Sequence, residues 1–344
     1  MKRLIIYSIL SVATLCSYGQ SNFNKTEIKS TMKRVADWQI ANPATGAEHD
    51  DLNWTYAALY MGMIDWAELT EKEDGDSQYY NWLLKIGRRN AWQMGKYMYH
   101  ADFIAVGQVF LEMHQKYNDR NMMLPTLART EFVINHPSAS TLELDYRNMA
   151  SLERWSWCDA LFMAPPVYAK MYMLTNDRKY IEFMNREYKA TYDYLFDKEE
   201  ELFYRDHRYF KQKEANGKKV FWGRGNGWVL GGLCEILQTL PRNNMHRQFY
   251  QDLFITLSNR IVRLQGKDGY WHASLLDPDS YPSPETSATG FIVYALAYGV
   301  NEGLLDKTVM IPAIEKGWKA LVCGERRQAG LCTTHRGRSQ ESDS

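Results

Sequence analysis

An all-α chain of helical hairpins closed into an (α/α) toroid is the fold class that the sequence predicts, on three observations. Apolar residues recur at helical spacing along almost the whole chain, with hardly any alternation of period two. The helices fall into pairs at a rough repeat of about 50 to 60 residues. Longer loops rich in Trp, Asp, Gly and His recur before one member of each pair, so that chemistry gathers on one loop face. No terminal repeat reads as a polar cap, which favours a closed ring over an open solenoid.

Taken in order, the chain opens with Lys2-Arg3, an apolar run from Leu4 to Cys16, and Ser17-Tyr18-Gly19. That is a secretory signal pattern, too short to span a bilayer. Residues 1–19 are therefore expected to be a signal peptide, and the protein to be secreted, into the periplasm. Periodicity then predicts helices over 26–41, 52–69, 77–97, 103–117, 121–134, 152–156, 160–175, 178–196, 226–239, 246–265, 287–302 and 308–322. In the fourth, Phe103, Val106, Phe110 and Met113 mark one buried face. Asn42-Pro43, His136-Pro137 and Leu240-Pro241 end helices where proline removes a donor. No low-complexity linker divides the body, so 20–322 reads as one domain and 323–344 as a tail of different character.

Composition excludes several classes. The 344 residues carry 41 basic and 41 acidic side chains, and nucleic acid would require a basic surplus. No second apolar run is long enough to cross a membrane. The five cysteines (16, 158, 234, 323 and 332) show no Cys-x-x-Cys spacing, so neither a disulfide framework nor a zinc site is expected. No metal and no other cofactor is expected, and no partner chain; a monomer is. The 11 Trp and 23 Tyr suit either a large core or the stacking of sugar rings.

Candidate acids lie in the loops. Asp159 sits between Trp157 and the apolar run Ala160 to Met163, a setting that raises a carboxyl pKa; Asp102 precedes an apolar helix in the same way. Each also fits a helix N-cap. Two such residues at equivalent loop positions point towards a working carboxylate pair. Trp222-Gly223-Arg224-Gly225-Asn226-Gly227-Trp228 lets backbone approach a ligand and offers a guanidinium fork for a carboxylate, or is a turn before a helix. His207 could donate to an acidic substrate, or be a solvated histidine.

These runs carry a resemblance. Asp51 to Tyr56, Trp157 to Pro166, Trp222 to Trp228 and Glu285 to Phe291 are together similar to glycoside hydrolase family 105, over about residues 26–322. The resemblance implies an (α/α)6 barrel of six hairpins. It also implies hydrolysis of oligosaccharides whose non-reducing uronate carries a 4,5 double bond left by a lyase, as in an unsaturated rhamnogalacturonyl hydrolase. By matching position, Asp159 becomes the acid that protonates C4 and then takes a proton from water attacking C5. Asp102 becomes the second acidic residue. Trp54, Tyr56, Trp157, Arg224 and Trp228 become substrate-binding residues, with His207 standing for the family's pocket histidine although Tyr204-Arg205-Asp206-His207 departs from its Tyr-His order. An inverting glycosidase on the same toroid and a non-catalytic glycan-binding protein are the alternatives.

The tail departs from the resemblance. The family continues past 322 into a loop and a twelfth helix, where this chain turns polar. One set of codons for residues 333–344, read one base later, spells Gln-Pro-Ile-Gly-Ala-Asp-Pro-Lys-Lys-Val-Thr-Ala, which is similar to the family's continuation. A frameshift near residue 323 is expected, with a barrel lacking its last helix.

Overall fold

Local rules set where the helices begin and stop. A computed structural model describes residues 24–43 and 50–328; the expected signal segment and residues 329–344 lie outside the described residues. The chain divides into two compact units, one ending at Ala41 and one starting at Asn42. The first contributes one described helix, α1 (Lys25–Ala41).

In the second unit, α2 (Trp54–Asp74) is capped by Asn53, whose side chain accepts the Thr55 N–H at 3.0 Å, and it stops at Gly75 in the left-handed region. Helix α3 (Gln78–Arg89) ends eight residues before its expected limit of 97. Ala91 and Trp92 take positive φ there, and the Trp92 ring folds back onto Gly87, where any Cβ would lie 2.1 Å from it. A buried indole wins over helix periodicity.

The helices expected over 103–117 and 160–175 are each split. Helix α4 (Ala101–Ile104) is followed by α5 (Gly107–Tyr117), and, beyond α6 (Leu124–Asn135), α7 (Ala160–Met163) is followed by α8 (Pro165–Thr175). Pro165 and Pro166 supply no N–H, so carbonyls of α7 lose their helical donors. Buried Gln108 of α5 donates instead, to Phe162 O at 2.9 Å and Met163 O at 3.2 Å. The two breaks thus bind each other. The helix expected over 152–156 does not form. Met149–Leu152 is a single 3₁₀ turn, and the hydroxyls of Ser156 and Thr191 take the carbonyls of Ser151 and Trp155 at 2.8 and 2.6 Å.

Helix α9 (Arg178–Leu195) leads into the antiparallel strands β1 (Phe196–Asp197) and β2 (Leu202–Phe203), with Phe196 opposite Phe203. Helices α10 (Gly223–Thr239), α11 (Arg247–Val262), α12 (Thr286–Asn301) and α13 (Lys307–Gln328) complete the unit. The last runs past the break expected at 322. Hairpin partners pack together: α2 with α3, α5 with α6, α8 with α9, α10 with α11, and α12 with α13. Their first members also pack in succession, α2 on α5, α5 on α8, α8 on α10 and α10 on α12. Helix α10 is buried along nearly its whole length, and a Cβ on its Gly232 would lie 2.3 Å from Leu161 O of α7. Among the described residues no helix is long and apolar enough to cross a membrane.

Candidate active site

The first members of the hairpins begin at one end of the unit, and their N-terminal turns build the site. Three glycines of the run 222–228 lie inside the first turn and a half of α10, three residues earlier than the expected start at 226. Glycine costs a helix roughly 1 kcal/mol per residue relative to alanine, so close approach must offset it. It does: a Cβ on Gly223 would lie 2.2 Å from His272 O, and one on Gly225 would lie 2.8 Å from Cys158 Sγ and 3.7 Å from Asp159 Oδ1. Helix α10 can therefore press its N-terminus against the Asp159 loop. Buried Asn226 ties the same turn to β2, accepting the Phe203 N–H at 2.9 Å and donating to Phe203 O at 3.1 Å. Two residues on, Arg205 O accepts the Cys158 N–H at 2.9 Å. Segments 157–159, 203–206 and 222–226 are thus one bonded assembly.

Asp159 precedes α7 but makes no capping bond through its side chain, and Asp102 is not a cap either. His100 caps α4, with its Nδ1 accepting the Asp102 N–H at 3.2 Å. Both carboxylates are left available for something else. Burial raises the Asp159 carboxyl, while Arg205, the Cys158 thiol donating at 3.2 Å, and Arg224 act in the opposite direction. Burial, and then the charge of Asp159, push Asp102 up to about 7, with Arg205 opposing. Both carboxyls are thus held above the usual carboxylate range, and the cations around Asp159 oppose that rise. Burial takes His100 down to about 4, so its ring is neutral with Nε2 protonated.

Aromatic rings wall the recess. Trp54 meets Trp228 edge-on at 5.7 Å, and Trp228 packs between Phe162 and Phe291 at 4.8 and 4.2 Å. The buried Trp228 Nε1–H has no protein acceptor. Trp157 lies 5.0 Å from the His100 ring. Arg224 lies over Trp222 at 4.4 Å and pairs with Glu285, the residue preceding α12, at 3.1 Å.

Of the residues singled out from sequence, Asp102 and Arg224 each act on or with Asp159, and Trp54, Trp157 and Trp228 line the same end. Tyr56 stacks on Tyr60 of its own helix at 5.9 Å. His207 accepts the Leu144 N–H at 3.1 Å in a supporting role, and the cation that acts on both carboxyls is Arg205. Sequence reasoning passed over Arg205, His100 and Glu285. The signal was present in Tyr204-Arg205-Asp206-His207, where an arginine stands beside an acid, but attention went to the histidine. Among the described residues no group of three or more His, Cys, Asp or Glu converges as a metal set.

Known proteins were compared with this chain. The sequence profile of Glycosyl Hydrolase Family 88 matches residues 25–342, reaching across the tail set apart above. An unsaturated 3S-rhamnoglycuronyl hydrolase of Formosa agariphila is 39% identical over 319 residues, covering 90% of this chain and 83% of its own. A solved polysaccharide lyase superposes with a TM-score of 0.76 at 29% identity, covering 86% and 83% of the two chains. A family 88 glycosyl hydrolase from Bacteroides vulgatus gives 0.72 at 27%, covering 86% and 85%. The fold is the (α/α)6 toroid of these neighbours.

Proposed function

The chain belongs to glycosyl hydrolase family 88 and is a glycoside hydrolase acting on unsaturated uronyl oligosaccharides, and we propose that it removes the 4,5-unsaturated uronate from the non-reducing end of rhamnoglycuronyl fragments made by a lyase. The 39% identity across 90% of the chain carries the choice of substrate. The proposed substrate is thus a rhamnoglycuronyl fragment, where the sequence alone led to a rhamnogalacturonyl one.

Water adds across C4=C5. Protonated Asp159 gives its proton to C4, and positive charge develops on C5 and the ring oxygen. Water attacks C5 and returns a proton to Asp159, so the catalyst is restored. The resulting hemiketal opens and releases the second sugar. General acid–base work of this kind contributes about 10²–10⁴-fold.

The geometry supports a way of loading Asp159. Arg224 opposes the rise that burial imposes on Asp159. A substrate carboxylate that takes up the Arg224 fork offsets that cation, so Asp159 takes a proton more readily with substrate bound. Asp102, whose carboxyl feels the Asp159 charge, serves as the orienting group. Trp54, Trp157 and Trp228 wall the unsaturated ring.

Ultraviolet absorbance of the unsaturated uronate tests this reading on lyase-generated oligosaccharides. Loss of absorbance with release of the second sugar supports hydration. New reducing ends with absorbance intact would mean ordinary glycoside cleavage, and a gain would mean elimination. We also propose export, on the pattern of residues 1–19; the mass of the protein recovered from a periplasmic fraction checks cleavage after Gly19.

A further inference from the structure

Two fully buried thiols stand in different company. Cys234 lies in the middle of α10, and among the described residues its thiol makes no hydrogen bond, as is usual for a cysteine used as a small apolar side chain. Cys158 is buried to the same degree but sits beside the acid. Its Sγ–H donates to Asp159 Oδ1 at 3.2 Å. Burial, and then the charge of Asp159, hold the thiol well above its usual range, so it stays protonated and able to donate.

Backbone on both sides fixes this contact. The Cys158 N–H donates to Arg205 O at 2.9 Å, and its carbonyl accepts the Leu161 N–H at 3.0 Å as α7 begins. Opposite, the first turn of α10 closes over the sulfur, and residue 225 is glycine where a Cβ would lie 2.8 Å from Sγ. The same Cβ would lie 3.7 Å from Asp159 Oδ1, so thiol and Oδ1 both face α10. The other charges facing the pair are Arg205, Asp206, Arg224 and Asp102. Among the described residues, Cys158 alone donates a side-chain hydrogen bond to the Asp159 carboxyl.

A neutral carboxyl carries its proton on one oxygen and accepts on the other. A donor fixed at Oδ1 makes that oxygen the acceptor and places the proton on Oδ2. The weakness of a thiol donor matters as much as its position, because a strong donor would hold the carboxyl ionised when it must deliver a proton. We propose that Cys158 is a positioning residue for hydration: its thiol pins Oδ1 of Asp159 against α10 and leaves Oδ2 to pass the proton to C4. The assignment rests on the hydrolase reading above, in which Asp159 is the acid, and deepens it.

Cys158→Ala, Cys158→Ser and Cys234→Ala, followed by ultraviolet absorbance on lyase-generated oligosaccharides, test it. In Cys158→Ala the alkaline limb of the kcat/KM profile should move up by about half a pH unit, as loss of one weak hydrogen bond to a charged group allows. Its kcat on the pH plateau should fall by about tenfold, within the roughly 10²-fold that a 1 Å misplacement costs, while KM changes by less than about twofold. Cys158→Ser keeps a donor, so it should recover most of kcat with the limb at or below its wild-type position. Cys234→Ala removes an equally buried thiol and should move neither limb nor kcat. A limb that stays in place in folded Cys158→Ala protein overturns the assignment. An equal change in Cys158→Ala and Cys234→Ala also overturns it, because Cys158 would then serve packing alone. If the wild type hydrates nothing, the hydrolase reading fails separately. The infrared carboxyl band of Asp159, identified by its absence in Asp159→Asn, then decides the contact. The same titration midpoint in wild type and Cys158→Ala rejects it, and a higher one in Cys158→Ala upholds it.

Discussion

The two ends of the hairpins' first members both gather carboxyls with raised pKa, and only one end has the makings of chemistry. At the N-terminal end stand Asp102 and Asp159. At about 16 Å along α2 and α10 from Trp54 and Arg224, at 1.5 Å per residue, stand Asp65 and Glu235. There, with Glu112 of α5 and Lys170 of α8, they border a cavity of ≈ 740 Å³. Size and perturbed acidity would select this cavity. Its recessed position, followed by the charges of Glu235 and Glu112, pushes the Asp65 carboxyl up to about 8, and burial raises Glu112 as well. Yet Lys170 is clamped between Glu112 at 3.0 Å and Glu235 at 3.1 Å, and Tyr294 donates to Glu235 at 3.3 Å. Those charges are spent on one another. At the opposite end Asp159 receives only a thiol from a neighbouring side chain, and Asp102 makes no cap. A raised carboxyl marks a working site when its bonding capacity is left unspent and rings stand ready for a sugar.

The largest expected effect breaks the comparison outright if it fails. Asp159→Asn should lower kcat by about 10²–10⁴-fold with the melting temperature little changed, since an amide keeps the shape but delivers no proton. Retention of more than about a tenth of the wild-type kcat would reduce Asp159 to a structural residue, and the two ends would differ less than claimed.

The reverse substitution sharpens it from the other side. Lys170→Met leaves Glu112 and Glu235 facing each other without their cation, and breaking a buried ion pair from one side costs roughly 3–5 kcal/mol. Thermal unfolding should show that loss, while kcat per folded molecule stays as it was. A fall in kcat without a fall in stability would mean that the far cavity takes part in turnover.

How much of this contrast the sequence carried depends on range. Helical spacing, the prolines at 43, 137 and 241, and the Trp- and Asp-rich loops sufficed for the fold class and for Asp102 and Asp159, because those signals lie within a few residues of one another. Breaks inside the helices were not legible. The stop at Arg89 depends on Trp92 returning to Gly87, and the paired breaks around Gln108 depend on a carbonyl 54 residues away. Arg205 was missed for a similar reason. Its role rests on a backbone bond to Cys158 and on Asn226 holding β2, neither of which has a local pattern. The position of Glu285 against Arg224 is likewise a contact across 61 residues.

A smaller effect bears on the coupling of the two carboxyls. Hydration requires a protonated Asp159, so activity should fall as pH rises, and Asp102, pushed up to about 7, adds its charge over the same range. Asp102→Asn removes the like charge beside Asp159 and leaves Arg205 and Arg224 to favour its ionised form. The Asp159 carboxyl then loses its proton at lower pH, and the alkaline limb of kcat/KM should move down. The kcat loss should be smaller than for Asp159→Asn. A limb that stays in place would mean that the two carboxyls are not coupled.

The smallest effect concerns the matched cation. Arg224→Lys keeps the charge near Asp159 but loses the planar fork, while Glu285 remains to pair with the new ammonium. Loss of one contact of a two-point grip on a carboxylate is worth about 1.4 kcal/mol, or tenfold in affinity. KM should therefore rise by about tenfold, and kcat should fall by less. Because lysine still offsets the Asp159 charge, the alkaline limb should move little, unlike that of Asp102→Asn. An unchanged KM would remove Arg224 from the substrate carboxylate. That role would then pass to Arg205, the other guanidinium acting on Asp159, and the loading of Asp159 by displacement of the Arg224 charge would fail with it.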